Sequence, residues 1–457
     1  MPNFRKICAK YDKDAALLLQ ELVKIDSTYD EKTATPQTPY GKGVDKALSK
    51  LLEVAKSHGF KVEKTNNRCA EIIAGEEGPI IGVYAHLDVV PASGKWDNPP
   101  FAAKVIGQGK QAKMIGRGTS DDKGPLVAAY YAMKALKDEG LINGYRVRLV
   151  AGGDEERGSS CLSSYFESGK EQAKFGFTPD ADFPLIYAEK GIIHGTLVKM
   201  VDLSPIIAIS GGTVVNAVAD KVMVTLAHSK AVEAAFKADP KLGDYSHEGE
   251  LGIALFKGKS AHASTPELGE SAFAKAFLTL GKALKMPLLE KLGLLISSTS
   301  GDVFGGDDVS KELGASTYSY GLCSYDSNKH VLKLSLDYRY GESASPKQAI
   351  KKLEDYSTFN FVESSSAPIL LFDKKSDLVS TLMKSYRHMT HRLFDKPMAI
   401  GGGTYAKEAK NTVAYGSAFK GHPGDIHSPN EYIYLDDLYA QIGIYADAIF
   451  ALGKKAK

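Results

Sequence analysis

Cysteine is scarce in this chain: four among 457 residues, at Cys8, Cys69, Cys161 and Cys323. None forms a C-x-x-C pair and the spacings are wide. A disulfide framework and a zinc–thiolate site are both disfavoured, and the thiols read as reduced residues of a cytoplasmic protein. Charge of one sign is also missing. Lys+Arg number 57 against 55 Asp+Glu, a formal net charge of +2, so there is no electrostatic footprint for nucleic acid. The basic stretch 454–457 reads as a solvated tail. No apolar run approaches the length of a bilayer span, and residues 1–10 are mixed and charged, unlike a signal peptide. Internal repeats and low-complexity segments are absent, as is the G-x-x-x-x-G-K-[ST] spacing of a phosphate loop. What is left is 43% apolar and 25% charged, an ordinary globular composition long enough for two or three domains.

The pattern changes along the chain. Up to about residue 190, helix and strand signals alternate. Residues 42–58 read as a helix, 61–73 as a hairpin-like strand pair and 79–85 as a strand. Residues 125–139 read as a helix with proline in its first turn and Gly140 just past its end. Residues 145–151 form the next apolar strand. Such alternation predicts a mostly parallel mixed sheet flanked by helices. Between about 191 and 367 the strands become amphipathic, as in 192–198 and 331–337, with helices such as 272–284. One-sided alternation argues for a sheet with one solvated face, that is, an α+β domain. After Pro368 the α/β character returns, with helices at 377–389 and 435–452. The simplest organisation is an α/β catalytic domain, 1–188 plus 370–457, interrupted by an inserted α+β lid domain, 189–369.

Chemistry concentrates at the ends of the α/β segments. The strand Ile80-Ile81-Gly82-Val83-Tyr84-Ala85 delivers His86 and Asp88, two residues apart and so on one face. A metal ligand and the carboxylate that orients it would be placed in this way. Asp121 and Asp122 stand in a glycine-flanked loop before a helix. Helix capping would need only one of them. Asp154, Glu155 and Glu156 follow the strand that ends at Ala151, and three adjacent carboxylates at a strand end call for cations nearby. Thr178-Pro179-Asp180-Ala181-Asp182 is a turn with two acids. The loop 421–431 carries His422 and His427. Nitrogen and oxygen donors without thiolate suit zinc, manganese or cobalt, and such a set is what a two-metal hydrolytic site needs.

His86-Leu87-Asp88, Asp121-Asp122-Lys123-Gly124, Asp154-Glu155-Glu156, Thr178-Pro179-Asp180 and His427-Ser428-Pro429-Asn430-Glu431 resemble, in order, the motifs of the aminoacylase/carboxypeptidase superfamily of two-metal hydrolases. Trp96-x-x-Pro99-Pro100-Phe101, the length and the long insertion favour its dipeptidase branch, typified by peptidase V and the carnosinases. The resemblance implies a metal-dependent dipeptidase that holds two divalent ions, zinc first, with manganese or cobalt as alternatives. His86 would bind one ion and His427 the other, Asp121 would bridge them, and Glu156 and Asp180 would each complete one ion's shell. Glu155 would be the general base, Asp88 would orient His86, and a cis peptide would follow Asp121. In the insertion, His262 matches the lid histidine that stabilises an oxyanion. Asn216, Arg339, Gly402, Gly403 and Thr404 match substrate-binding positions, with Arg339 on the substrate carboxylate. His422 rivals His427, and Asp182 rivals Asp180; the flanking Asn430-Glu431 and Thr178-Pro179 favour His427 and Asp180. Small peptides are the implied substrates and no membrane partner is expected. The protein would be a monomer or homodimer. An N-acyl amino acid deacylase is the alternative activity, and a metal-dependent binding protein without catalysis is a weaker one.

Overall fold

The computed structural model describes residues 2–457. The chain packs into two units. The first runs through Tyr187 and resumes over Leu371–Met398 and Thr404–Lys457; the second is Ala188–Leu370 with Ala399–Gly403.

The first unit is built on a mixed sheet. Its strands lie in the order Lys61–Thr65, Cys69–Ala74, Arg146–Gly152, Ile80–His86, Phe175–Thr178, Thr412–Ala414 and Ile186–Glu189. The first two form an antiparallel hairpin, and Cys69–Ala74 runs antiparallel to Arg146–Gly152. The four strands from Arg146–Gly152 to Thr412–Ala414 are parallel to one another. Every residue of Ile80–His86 is buried, which explains its unbroken apolar run: helices cover both faces of a parallel sheet. The helix Lys123–Asp138 is apolar nearly all round, and thirteen of its residues are buried. It packs on the long final helix Leu435–Ala456 and on the strand Ile80–His86. A side chain such as Leu126 or Leu136, with no exposed surface, contributes about 1.5–3 kcal/mol through burial.

The register decides where the chemistry falls. Ile80 pairs with Arg146 and His86 with Gly152, while Val83 pairs with Phe177. Three parallel strands therefore end side by side and release His86, Asp154-Glu155-Glu156 and Asp180 at one edge of the sheet. A small antiparallel sheet adds the rest. Tyr432–Tyr434 pairs with Lys113–Ile115, which pairs with Lys104–Ile106. This fastens the loop before Tyr432 to the loop after Ile115.

The second unit holds an antiparallel sheet of nine strands, eight of them in the order Gly243–Glu248, Leu251–Lys257, Lys221–Ala227, Ile206–Gly211, Cys323–Asp326, Val331–Tyr340, Gly191–Met200 and Asn360–Ala367. The short strand Thr317–Ser319 also pairs with Val331–Tyr340. Alternate residues of Lys221–Ala227 and Leu251–Lys257 are buried, beneath the helix Ala272–Leu284. That alternation is the two-residue period legible in the sequence. The segment Ala399–Gly403, expected with the first unit, packs with the second because Lys190 N donates to Ile400 O (3.1 Å) and Arg339 Nη1 to Gly401 O (2.7 Å). Among the described residues no helix is long and apolar enough to cross a membrane.

Candidate metal centre

Asp121 is the meeting point of the first unit's polar side chains. Its Oδ1 lies 3.0 Å from His86 Nε2 and its Oδ2 2.9 Å from His427 Nε2. Each imidazole has one further carboxylate at hand. Asp180 Oδ2 is 3.7 Å from His86 Nε2, and Glu156 Oε1 is 3.1 Å from His427 Nε2. Two triads result, His86–Asp121–Asp180 and Asp121–Glu156–His427, each with its donor atoms within 4.8 Å of one another and with Asp121 in common. The peptide between Asp121 and Asp122 is cis. Asp122 stands at the N-cap of the helix Lys123–Asp138 but makes no side-chain capping bond; its Oδ2 accepts from the His86 amide instead (3.2 Å).

Local hydrogen bonds fix the candidate ligands. His86 Nδ1 lies 3.0 Å from the carbonyl oxygen of Asp88 and 3.5 Å from its carboxylate. Asp88 thus orients the ring chiefly through its backbone, where the side chain is the obvious candidate. Its carboxylate instead accepts from the amides of Glu155 (3.0 Å) and Glu156 (3.1 Å). The ring of Tyr405 stands edge-on to His86 with centroids 6.1 Å apart.

The electrostatics show what the cluster is short of. Burial opposes charge on His86, yet hydrogen bonds with Asp121 and Asp88 hold its imidazole well above the ordinary histidine range. Asp121 and Glu156 hold His427 up at about 11. Burial works to raise Asp121 as well, but the His427 and His86 contacts outweigh it and keep it below the usual carboxylate range. The others go the opposite way. Burial, then the Asp121 charge, pushes Asp180 up to about 7 and raises Glu156. Burial, then Asp180, raises Glu155 well above its ordinary value. The ion pairs these acids make are with histidine alone; among the described residues no lysine or arginine is paired with them. Crowded carboxylates with no lysine or arginine partner, set among imidazoles and free of thiolate, fit a pair of divalent cations.

The rival residues lie elsewhere. His422 Nδ1 is 2.6 Å from Asp437 Oδ2. Asp182 belongs to neither triad and bridges to Ala418 through its backbone. In the second unit His262 is exposed, its Nδ1 2.7 Å from Ser264 Oγ. Asn216 is its neighbour: Ala217 bridges to His262, and Asn216 O accepts from Ala263 N (2.9 Å). Arg339 is buried, and its fork is taken by Asp337, with Nε to Oδ1 at 2.8 Å and Nη2 to Oδ2 at 3.0 Å. Gly401 accepts from Nη1, which places Arg339 beside the glycine turn that contains Gly402 and Gly403. Thr404 follows that turn in the first unit and accepts from Ala406 N.

The model of the peptidase family M20/M25/M40 matches residues 82–451. The chain belongs to that family. The family match bears out the resemblance carried by the five motifs. The putative dipeptidase YtjP of Bacillus subtilis is 34% identical, over 95% of this chain and 96% of its own length. Among solved structures, the M20 family metallo-carboxypeptidase Sso-CP2 of Sulfolobus solfataricus superposes with a TM-score of 0.60 at 19% identity, covering 96% of this chain and 99% of that one. The di-peptidase Dug1p of Saccharomyces cerevisiae gives 0.60 at 13% identity, over 99% and 98%. At such identities these structures speak for the fold.

One buried pair of this M20 chain was not singled out from the sequence. Glu431 has no exposed surface and Arg117 almost none. Glu431 Oε2 accepts from Arg117 Nη1 (2.7 Å), while Oε1 accepts from the amides of Ser120 (2.9 Å) and Asp121 (3.2 Å). Burial, then Asp121, raises Glu431 to about 7. The available signal was an acid four residues after His427, but its partners lie more than three hundred residues away and no spacing rule reaches them.

Proposed function

We propose that the chain is a metal-dependent dipeptidase, with Glu155 as general base. The observation that carries this reading is Asp121, whose two oxygens face His86 and His427 while Asp180 and Glu156 complete the two triads. A pair of divalent ions, zinc on this donor set, would supply Lewis acidity and render water acidic enough to attack near neutral pH. His86, Asp121 and Asp180 would hold one ion, and Asp121, Glu156 and His427 the other. The chain's own residues do the remaining work. Glu155 is half-buried, with its amide fixed on Asp88, and would take the proton from the attacking water and pass it to the leaving amine. Raising its pKa by burial moves it toward the range in which a base can also return a proton. His262 would steady the oxyanion. Arg339, with Gly402, Gly403, Thr404 and Asn216, would receive the substrate's termini; because Asp337 fills its fork, Arg339 would bind with its remaining N–H groups. A cytoplasmic location is in keeping with four unpaired, buried cysteines.

The test is a panel of dipeptides, longer peptides and N-acetyl amino acids, assayed before and after chelation and repeated with Glu155→Ala. The reading requires hydrolysis of dipeptides that stops on chelation, and a roughly 10²–10⁴-fold loss in Glu155→Ala at unchanged metal content. Preferential cleavage of N-acetyl amino acids would make the chain a deacylase. Full activity in Glu155→Ala would remove that residue's role.

A further inference from the structure

The second unit contains a cluster that the reading above does not use. We propose that His228, Glu233 and His247 form a separate site for one divalent cation of the zinc class.

The three donors are brought together by the sheet. His228 follows the strand Lys221–Ala227, and its amide donates to Glu250 O (2.7 Å). Ser229 then caps the helix Lys230–Ala238, which sets Glu233 in the first turn. His247 lies on the edge strand Gly243–Glu248, opposite Gly252, and Gly252 in turn lies opposite Leu226. The strand between the two histidines thus presents glycine where a side chain would stand. A Cβ at Gly252 would sit 2.5 Å from the Tyr245 hydroxyl. With that space open, the two imidazoles lean together, centroids 4.0 Å apart and planes at 24°.

The hydrogen bonds select the ligating atoms. His228 Nδ1 is tied to the Tyr245 hydroxyl at 3.0 Å, and the same hydroxyl accepts from Ser229 N (3.3 Å). Nε2 of His228 is left facing Glu233 Oε2 at 3.9 Å. The other carboxylate oxygen, Oε1, receives Lys237 at 2.6 Å. One donor atom from each of His228, Glu233 and His247 lies within 4.8 Å of the others. Zn–N bonds of about 2.0–2.1 Å imply donor edges of ~3.3 Å, so the side chains must close by no more than about 1.5 Å. His247 is exposed and free to rotate that far. Two imidazoles and one carboxylate, with the outer nitrogen of His228 held by a hydroxyl, favour zinc over magnesium or calcium and leave room for water in a fourth position. A bound ion would clip the edge strand to the helix Lys230–Ala238.

The experiment is zinc titration of the full chain by equilibrium dialysis, with equivalents counted per chain. The comparison is between wild type and the double variant His228→Gln/His247→Ala, with folding of both verified by circular dichroism. Wild type should bind one equivalent more than the double variant. Glu233→Gln, which preserves shape, and Tyr245→Phe, which frees Nδ1 of His228, should each weaken that one equivalent by roughly tenfold or more. Equal stoichiometry in wild type and double variant would overturn the proposal. Failure of the two-metal centre would lower both totals alike and leave their difference intact, so the two outcomes are separable.

Discussion

His86 and His427 approach the same carboxylate from backbones of opposite character. His86 ends a buried parallel strand and has no exposed surface, with its ring anchored by the Asp88 carbonyl. His427 sits in a loop at φ +57°, with about half of its side chain (53%) exposed. Asp425 and Asn430 of the same loop also have positive φ, a conformation that non-glycine residues adopt at some cost. The placement of the first imidazole is a by-product of packing the sheet. The second is held in place by a strand pair, Tyr432–Tyr434 with Lys113–Ile115, and by Glu431. A site can therefore be half core and half strap, and its two halves should fail differently.

The largest effect should come from removing what the halves share. Asp121→Ala should empty both positions and reduce kcat/KM for dipeptides by about four orders of magnitude, read by metal analysis and initial rates. If one ion and substantial activity survived, Asp121 would not be the bridge. Next is the strap's anchor. Glu431→Gln leaves Arg117 charged and buried without its partner, and should cost about 3–5 kcal/mol in urea unfolding. The comparison itself is sharpened by His86→Ala against His427→Ala, both measured on chelated protein. The first should lose about 2–3 kcal/mol and the second no more than about 0.5 kcal/mol, because one side chain is enclosed and the other is not. Similar losses would mean that the loop is as integral to the core as the strand. The smallest effect belongs to Asn430, which accepts from Asp97 N (2.9 Å) and donates to Asp97 Oδ2 (3.1 Å). Asn430→Ala should cost about 1 kcal/mol and lower affinity for the ion at His427 more than for the one at His86.

Most elements were legible from local pattern. Residues 79–85 anticipate the strand Ile80–His86, 125–139 the helix Lys123–Asp138, and 272–284 the helix Ala272–Leu284: near-complete burial makes the first two continuous apolar runs, and one-sided burial gives the third its helical period. The candidate ligands were legible for a related reason: they cluster just beyond strand ends, in short acidic runs. What could not be read was who holds whom. The Asp88 carboxylate on two amides, the Glu431–Arg117 pair and the Asp337 fork on Arg339 depend on long-range register or on side-chain direction within a strand. Likewise, Asp122 looks like a helix cap in sequence, but the His86 amide, brought alongside by the sheet, claims its carboxylate.

The place of Glu431 in the chain has a consequence for biosynthesis. A ribosome makes His86, Asp121, Glu155, Glu156 and Asp180 early, yet the Asp121 amide and the second imidazole wait for residues 427 and 431. Nascent chains arrested anywhere before that loop would carry most of the acids but no assembled centre. Peptide-cleaving capacity would thus be withheld from nascent polypeptides until residue 431 has been made and the loop has docked.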